Sequence, residues 1–146
     1  KILYFKNIIF KKNGITGNLK KKEGVKKAHS KIFGEKGFGL KKITFVFSKD
    51  AFVLKLNKQY LNKKTLTDIL TLKLSGKDSF IVSEIYISVE RVRENAEIYN
   101  ISYLKELYRV MIHGILHLCG YSDHTAELTE IMRKKEDYYL KNQNFM

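Results

Sequence analysis

The chain reads as an α+β protein: a small mixed β-sheet of about four strands, packed with helices. Two observations predict this. Runs rich in β-branched and aromatic residues, such as 43–47 and 80–88, alternate with stretches of helical periodicity. Between 104 and 119, Leu104, Leu107, Tyr108, Met111, Ile112, Ile115, Leu116 and Cys119 recur at i, i+3, i+4, i+7 spacing, a wide apolar stripe on a helix. With 146 residues, 44% of them hydrophobic, residues 1–146 are expected to form one domain whose core needs no disulfide.

Taken in order, residues 2–5 and 8–10 look like short strand pieces, followed by Gly14 and Gly17 as punctuation. Residues 18–33 fit a helix with Leu19, Val25, Ala28 and Ile32 inside, although Gly24 costs about 1 kcal/mol relative to Ala. Gly34, Gly37 and Gly39 mark a loop before the strand at 43–47. Asp50 is a candidate N-cap for a helix over 51–61 that points Phe52, Val53, Leu56 and Tyr60 inward. Strands at 66–72 and 80–88 are joined by a polar turn at 75–78. Helices follow over 89–99, 103–119 and 126–141. Ser102 and Thr125 are placed to cap the last two, and Glu127 and Glu130 suit the positive end of the final one. No repeat, low-complexity tract or linker interrupts the chain.

Charge is unevenly placed. The net charge is +13, yet residues 1–64 hold 18 lysines against three acids, a balance of +15. A basic half on a small domain is an electrostatic footprint for phosphate backbones, so a nucleic acid is an expected partner. No basic helix with aromatic anchors points to a membrane surface, and no apolar run approaches the roughly 20 residues of a membrane span. Residues 1–10 lack the pattern of a secretory signal. The single cysteine allows no internal disulfide, and neither a disulfide-linked partner nor an oxidising compartment is expected; the natural location is the cytoplasm.

Three of the four histidines fall within residues 113–124. His113 and His117 stand at i and i+4, one turn apart on one helix face and roughly opposite the apolar stripe. Gly114 clears space beside them and Gly120 ends the helix. Asp123 and His124 follow. Two ligands from a helix and a third from the turn after it can surround one tetrahedral ion and leave a fourth position open, the layout of a catalytic zinc site. One Zn2+ per chain is expected, on this helix of the C-terminal half. His29, in a lysine-rich stretch, reads as ordinary surface.

The run His113-Gly-Ile-Leu-His117-Leu-Cys-Gly120-Tyr121 resembles the signature of the YbeY endoribonucleases, also called rRNA maturation factors. Leu56-Asn57-Lys58-Gln59-Tyr60, Thr67-Asp68-Ile69-Leu70-Thr71 and Ser83-Glu84-Ile85-Tyr86-Ile87-Ser88 are similar to three further segments of that family, so the resemblance spans roughly residues 43–140. It implies a small α+β fold with one zinc ion. It also implies cleavage of single-stranded RNA, maturation of the 3′ end of small-subunit rRNA, and ribosome quality control with the ribosome or its small subunit as partner.

Three departures stand out. The family spaces its histidines H-x3-H-x5-H, which here puts Asp123 in the third place; the register favours Asp123 as ligand, and a one-residue bulge would bring in His124 instead. Leu61 replaces the arginine that commonly follows the tyrosine or tryptophan. Lys63, Lys64, Arg91 and Arg93 are the candidates to supply that charge to RNA. Glu84 stands where aspartate is usual, without the preceding glycine.

In H-E-x-x-H peptidases the glutamate beside the first histidine is the general base; here that position is Gly114. Phosphodiester cleavage asks less of the protein, since a bound zinc ion lowers the pKa of water and polarises a phosphoryl oxygen. The sequence therefore points to a metal-dependent endoribonuclease. The alternatives are a non-enzymatic ribosome-associated RNA-binding protein with a structural metal, and a zinc metallopeptidase.

Overall fold

The computed structural model describes residues 8–13, 25–28, 31–32, 41–62, 67–77 and 80–142. The strand expected at 2–5, the loop at 34–39, much of the helix over 18–33, and His29, Lys63 and Lys64 lie outside the described residues. Residues 25–28 and 31–32 are helical, and Val25, Ala28 and Ile32 are buried as their spacing predicts.

Strands β1 (Ile8–Lys12), β2 (Lys41–Ser48), β3 (Ile69–Lys77) and β4 (Phe80–Ser88) form a mixed sheet in the order β1-β2-β4-β3. β2 runs parallel to both β1 and β4, while β3 pairs antiparallel with β4. Parallel neighbours need crossover connections. Helical residues 25–28 and 31–32 lie between β1 and β2, and helix α1 (Asp50–Leu61) lies between β2 and β3. Helices α2 (Val89–Tyr99), α3 (Tyr103–Leu118) and α4 (Ala126–Asn142) follow the sheet.

The strand alternation sorts the two faces. Ile43, Phe45 and Phe47 of β2 share the main core with Ile85 and Ile87 of β4, and α3 covers them with Met111, Ile112, Ile115 and Leu116. On the other face Val53 and Leu56 of α1 pack on Leu70, with Phe52, Leu72 and Tyr86 around them. Tyr60, expected to point inward, is 57% exposed: it lies one turn past this small cluster, and Asn57 is buried in its stead.

Three boundaries differ from the sequence reading. β3 starts at Ile69 and continues to Lys77, through residues read as a turn. A register irregularity between Lys73 and Ser75 keeps that segment in the ladder, up to the Lys77–Phe80 pair. Asp50 is the first residue of α1 and not its cap; Lys49 holds the cap position without a side-chain bond. The Asp50 N–H instead donates to Glu90 Oε1 at 2.7 Å, and the Asp50 carboxylate accepts from Ser88 Oγ and from the Arg91 guanidinium. Leu104, counted in the apolar stripe of α3, is 37% exposed because it lies in the helix's first turn.

The remaining caps hold. Ser102 Oγ accepts from the Lys105 N–H and Thr125 Oγ1 from that of Leu128. Ser88 caps α2 in the same way through the Arg91 N–H. No described helix is long and apolar enough to cross a membrane.

Candidate metal centre

Helix α3 is buried almost all round. After Tyr103 and Leu104 at its start, the half-open positions form a single strip: Lys105, Arg109, His113 and His117, at successive i+4 steps, with Leu118 at the end. Gly114 does not clear space for the histidines. It faces the sheet, where an added Cβ would come 2.9 Å from Ile69 Cδ1 and 3.1 Å from Ile85 Cδ1. The glycine lets the helix sit close on β3 and β4, which fixes the height of the histidine strip above the sheet.

The helix end then turns the chain back. Gly120 adopts φ +99°, a conformation glycine takes at no steric cost. Its N–H donates to the His117 carbonyl and that of Tyr121 to the Leu116 carbonyl, the paired bonds of a Schellman stop. This reversal brings Asp123 back over the histidines, and Thr129 Oγ1 of α4 donates to the Asp123 carbonyl.

As a result His113 Nε2 lies 3.5 Å from Asp123 Oδ2, and His117 Nε2 lies 3.7 Å from Asp123 Oδ1. The donor atoms of all three residues lie within 4.8 Å of one another, and they form the one such group of three among the described residues. Donors around a tetrahedral zinc at about 2.0–2.1 Å stand roughly 3.4 Å apart, so these residues fit such an ion. His124 is outside the group; it is exposed, and its N–H turns to Ser122 Oγ.

A second layer orients the first. His113 Nδ1 lies 2.6 Å from Glu136 Oε2 of α4, which leaves Nε2 to face Asp123. Glu136 is buried, and its other oxygen accepts from Arg109 at 3.2 Å; Arg109 also pairs with Asp137 at 2.8 Å. Burial opposes charge on His113, but the Glu136 carboxylate, with Asp123 and Asp68, outweighs it and holds the imidazole above its usual pKa. For His117, burial and then the neighbouring His113 charge outweigh the pull of Asp123 and push it below the usual value. Both effects fit a ligand pair in which one ring is steered by a carboxylate.

Beside the centre is a cavity of about 230 Å³. His113 and Asp123 form part of its wall, with Asp68, Glu106, Tyr99 and Arg133 among its other residues. Burial pushes the Asp68 carboxyl up, against the pull of His113, and also raises Glu106. Of the cations considered for RNA, Arg91 is committed to Asp50 at 2.8 Å and Glu94 at 3.0 Å, and Arg93 lies 4.2 Å over the Tyr103 ring. Neither lines the cavity; Arg109 and Arg133 do. Leu61 is the exposed last residue of α1. Arg109 lies on the helical strip of the histidines and the buried Glu106 beside it, at i−4 and i−7 of His113, a signal the sequence carries. Glu136, from another helix, has no sequence signal of this kind.

A small mixed sheet packed with helices thus carries, at the end of a glycine-stopped helix, a His/His/carboxylate cluster that could hold a metal ion. The chain matches the family model described as endoribonuclease YbeY over residues 11–144, and it belongs to that family. It is 49% identical over 98 residues to the endoribonuclease YbeY of Amoebophilus asiaticus, covering 67% of each chain. With that of Cytophaga hutchinsonii it shares 32% over 138 residues, 94% of this chain and 96% of the relative. Its fold is similar to a solution structure of a Thermotoga maritima protein, with a TM-score of 0.63 and 27% identity, covering 94% of this chain and 91% of the other.

Proposed function

We propose that this chain is a zinc-dependent endoribonuclease that cleaves single-stranded RNA. His113, His117 and Asp123 would hold one zinc ion, and the protein would act in the cytoplasm in rRNA 3′-end maturation and ribosome quality control. The carrying observation is the convergence of those three donor sets on a separation that suits a tetrahedral ion, in a chain of the YbeY family. When bound, the metal supplies positive charge to a phosphoryl oxygen and an acidified water.

The chain's own residues do the rest. Glu136 holds His113 so that Nε2 faces the site. The Gly120 stop and the Thr129 bond hold Asp123 over it. Arg133, 55% exposed on the cavity wall, offers a guanidinium to a flanking phosphate. The cavity has room for one base and none for a duplex, which supports single-strand selectivity. A peptidase-type glutamate at position 114 has no room, since even its Cβ would meet Ile69 and Ile85.

The test is metal content of the purified chain, followed by cleavage of a labelled single-stranded RNA, its duplex and a casein-type peptide. Cleavage of the first substrate alone, lost on chelation and restored by zinc, is expected. Peptide cleavage without RNA cleavage would favour a metallopeptidase. Tight binding to ribosomal subunits without cleavage of any substrate would favour a binding module.

A further inference from the structure

The cavity beside the metal centre is lined by more carboxyl groups than a phosphate-binding surface would use, and one of them is unsatisfied. The side chain of Glu106 is 5% exposed, and its Oε1 is buried without a hydrogen-bond partner. The nearest cation, Arg109 Nε, is 3.9 Å away, beyond bonding range. Asp68, on the same cavity, receives a long 3.5 Å contact from Asn95 Nδ2 at Oδ2, and its carboxyl also accepts from the backbone at Asp68 and Ile69. A buried acceptor left unpaired costs free energy, which an incoming N–H would restore.

We propose that this cavity is a recognition subsite for a guanine base of single-stranded RNA, seated next to the bond cut at the metal centre. The proposal rests on the RNA-cleaving reading above. Four observations carry it. The cavity is continuous with the centre, because His113 and Asp123 form part of its wall. Its volume of about 230 Å³ suits one nucleobase. Tyr99, 55% exposed and on the same cavity, offers a ring on which a base can stack.

The fourth observation is the chemistry of the acceptors. Guanine is the one common base whose Watson–Crick edge presents two adjacent donors, an imino N–H and an amino group, and a carboxylate accepts both. Adenine and cytosine set a ring acceptor beside their amino group, and uracil sets its imino group between two carbonyls. Carboxylates would leave those acceptors unpaired. A second cation is the poorer occupant: among the described residues no other three donor atoms converge closely enough to hold one.

The chain, loaded with zinc, is titrated with GMP, with IMP (which lacks only the amino group) and with UMP, and binding is followed by NMR. GMP should bind about tenfold tighter than IMP, the effect of one lost buried hydrogen bond, and UMP weaker still. Glu106→Gln should bring GMP and IMP within about twofold while zinc content and circular dichroism stay those of the parent. Tyr99→Ala, on the surface, should weaken all three nucleotides together. In a single-stranded RNA with one guanine, cuts should cluster beside it in the parent, and in Glu106→Gln the share of cuts there should fall to that at other positions.

Equal binding of GMP and IMP overturns the proposal, as does discrimination that survives Glu106→Gln. A second equivalent of Mn2+ that disappears with Glu106→Gln also overturns it, in favour of a cation site. If Glu106→Gln does not fold, the parent GMP/IMP ratio and Tyr99→Ala decide. GMP discrimination without any RNA cleavage would uphold the subsite and sink the nuclease reading; RNA cleavage without base preference would do the reverse.

Discussion

Glu136 of α4 approaches His113 of α3 at 2.6 Å, Oε2 to Nδ1, and so couples the last helix to the face that carries the candidate ligands. The carboxylate fixes which ring nitrogen faces Asp123 and raises the basicity of the other. Glu136→Gln keeps the shape and an acceptor oxygen but removes the charge. Zinc affinity should fall by roughly tenfold or more, with the fold intact, as measured by competition with a chromophoric chelator alongside circular dichroism. Unchanged affinity would mean that Glu136 serves only to anchor Arg109.

The same contact sets the pH response. In the metal-free protein His113 is held above the ordinary imidazole value of about 6.5, so the folded state binds that proton more tightly than the unfolded state. Its contribution to stability is fully present below about pH 6.5 and is lost as pH rises through the folded value. His117 is lowered, with the opposite sign: its contribution is present above about pH 6.5 and is lost as pH falls below that. Metal needs both rings neutral. Zinc affinity should therefore begin to fall, on acidification, at the raised pKa of His113, above that of a free imidazole. In Glu136→Gln the onset should move to lower pH. Affinity measured across a pH series for both proteins checks this.

Asp123 and His124 compete for the third ligand position by sequence, and their placement separates them. Asp123 brings one oxygen to 3.5 Å of His113 Nε2 and the other to 3.7 Å of His117 Nε2, whereas His124 lies outside the group. Asp123→Ala should lose stoichiometric zinc, and His124→Ala should retain it. Elemental analysis of the two variants decides, and the reverse pattern would require the bulge that brings His124 inward.

What the sequence revealed and what it hid follow from the range of the interactions. The i, i+4 histidines, the stop at Gly120 and the caps Ser102 and Thr125 are local, and periodicity or turn chemistry exposes them. The four-stranded mixed sheet was legible in the β-branched runs. Asp50 was misread because its partners Ser88, Glu90 and Arg91 lie about 40 residues away and override its local capping preference. Tyr60 carried the right spacing but lies past the Val53–Leu56–Leu70 cluster, a limit that spacing cannot mark. Glu136 and Asp68 reach the centre only through tertiary packing. Eight of the 18 lysines in residues 1–64 fall outside the described residues, so composition alone speaks for that share of the charge.

Gly114 offers the sharpest link between packing and chemistry. It occupies the position of the general base in H-E-x-x-H peptidases, yet its α-carbon faces Ile69 and Ile85 and not the cavity. Gly114→Ala trades a helix-propensity gain of about 1 kcal/mol against overpacking of about 1–3 kcal/mol, so its net effect should run from neutral to a loss of about 2 kcal/mol. Gly114→Glu has no such offset. Its Cβ would meet Ile69 Cδ1 at 2.9 Å, and the remaining side chain would bring a carboxylate to the apolar interface between α3 and the sheet. A loss of at least about 3 kcal/mol is expected from overpacking and an unpaired buried charge together. Urea denaturation followed by circular dichroism measures it. The variant should also gain no peptidase activity, because the new carboxylate starts on the sheet side of the helix, away from the strip of His113 and His117. A stable Gly114→Glu protein that cleaved a casein-type peptide would show that α3 can rotate or lift from β3 and β4, and that the close seat assigned to Gly114 is wrong.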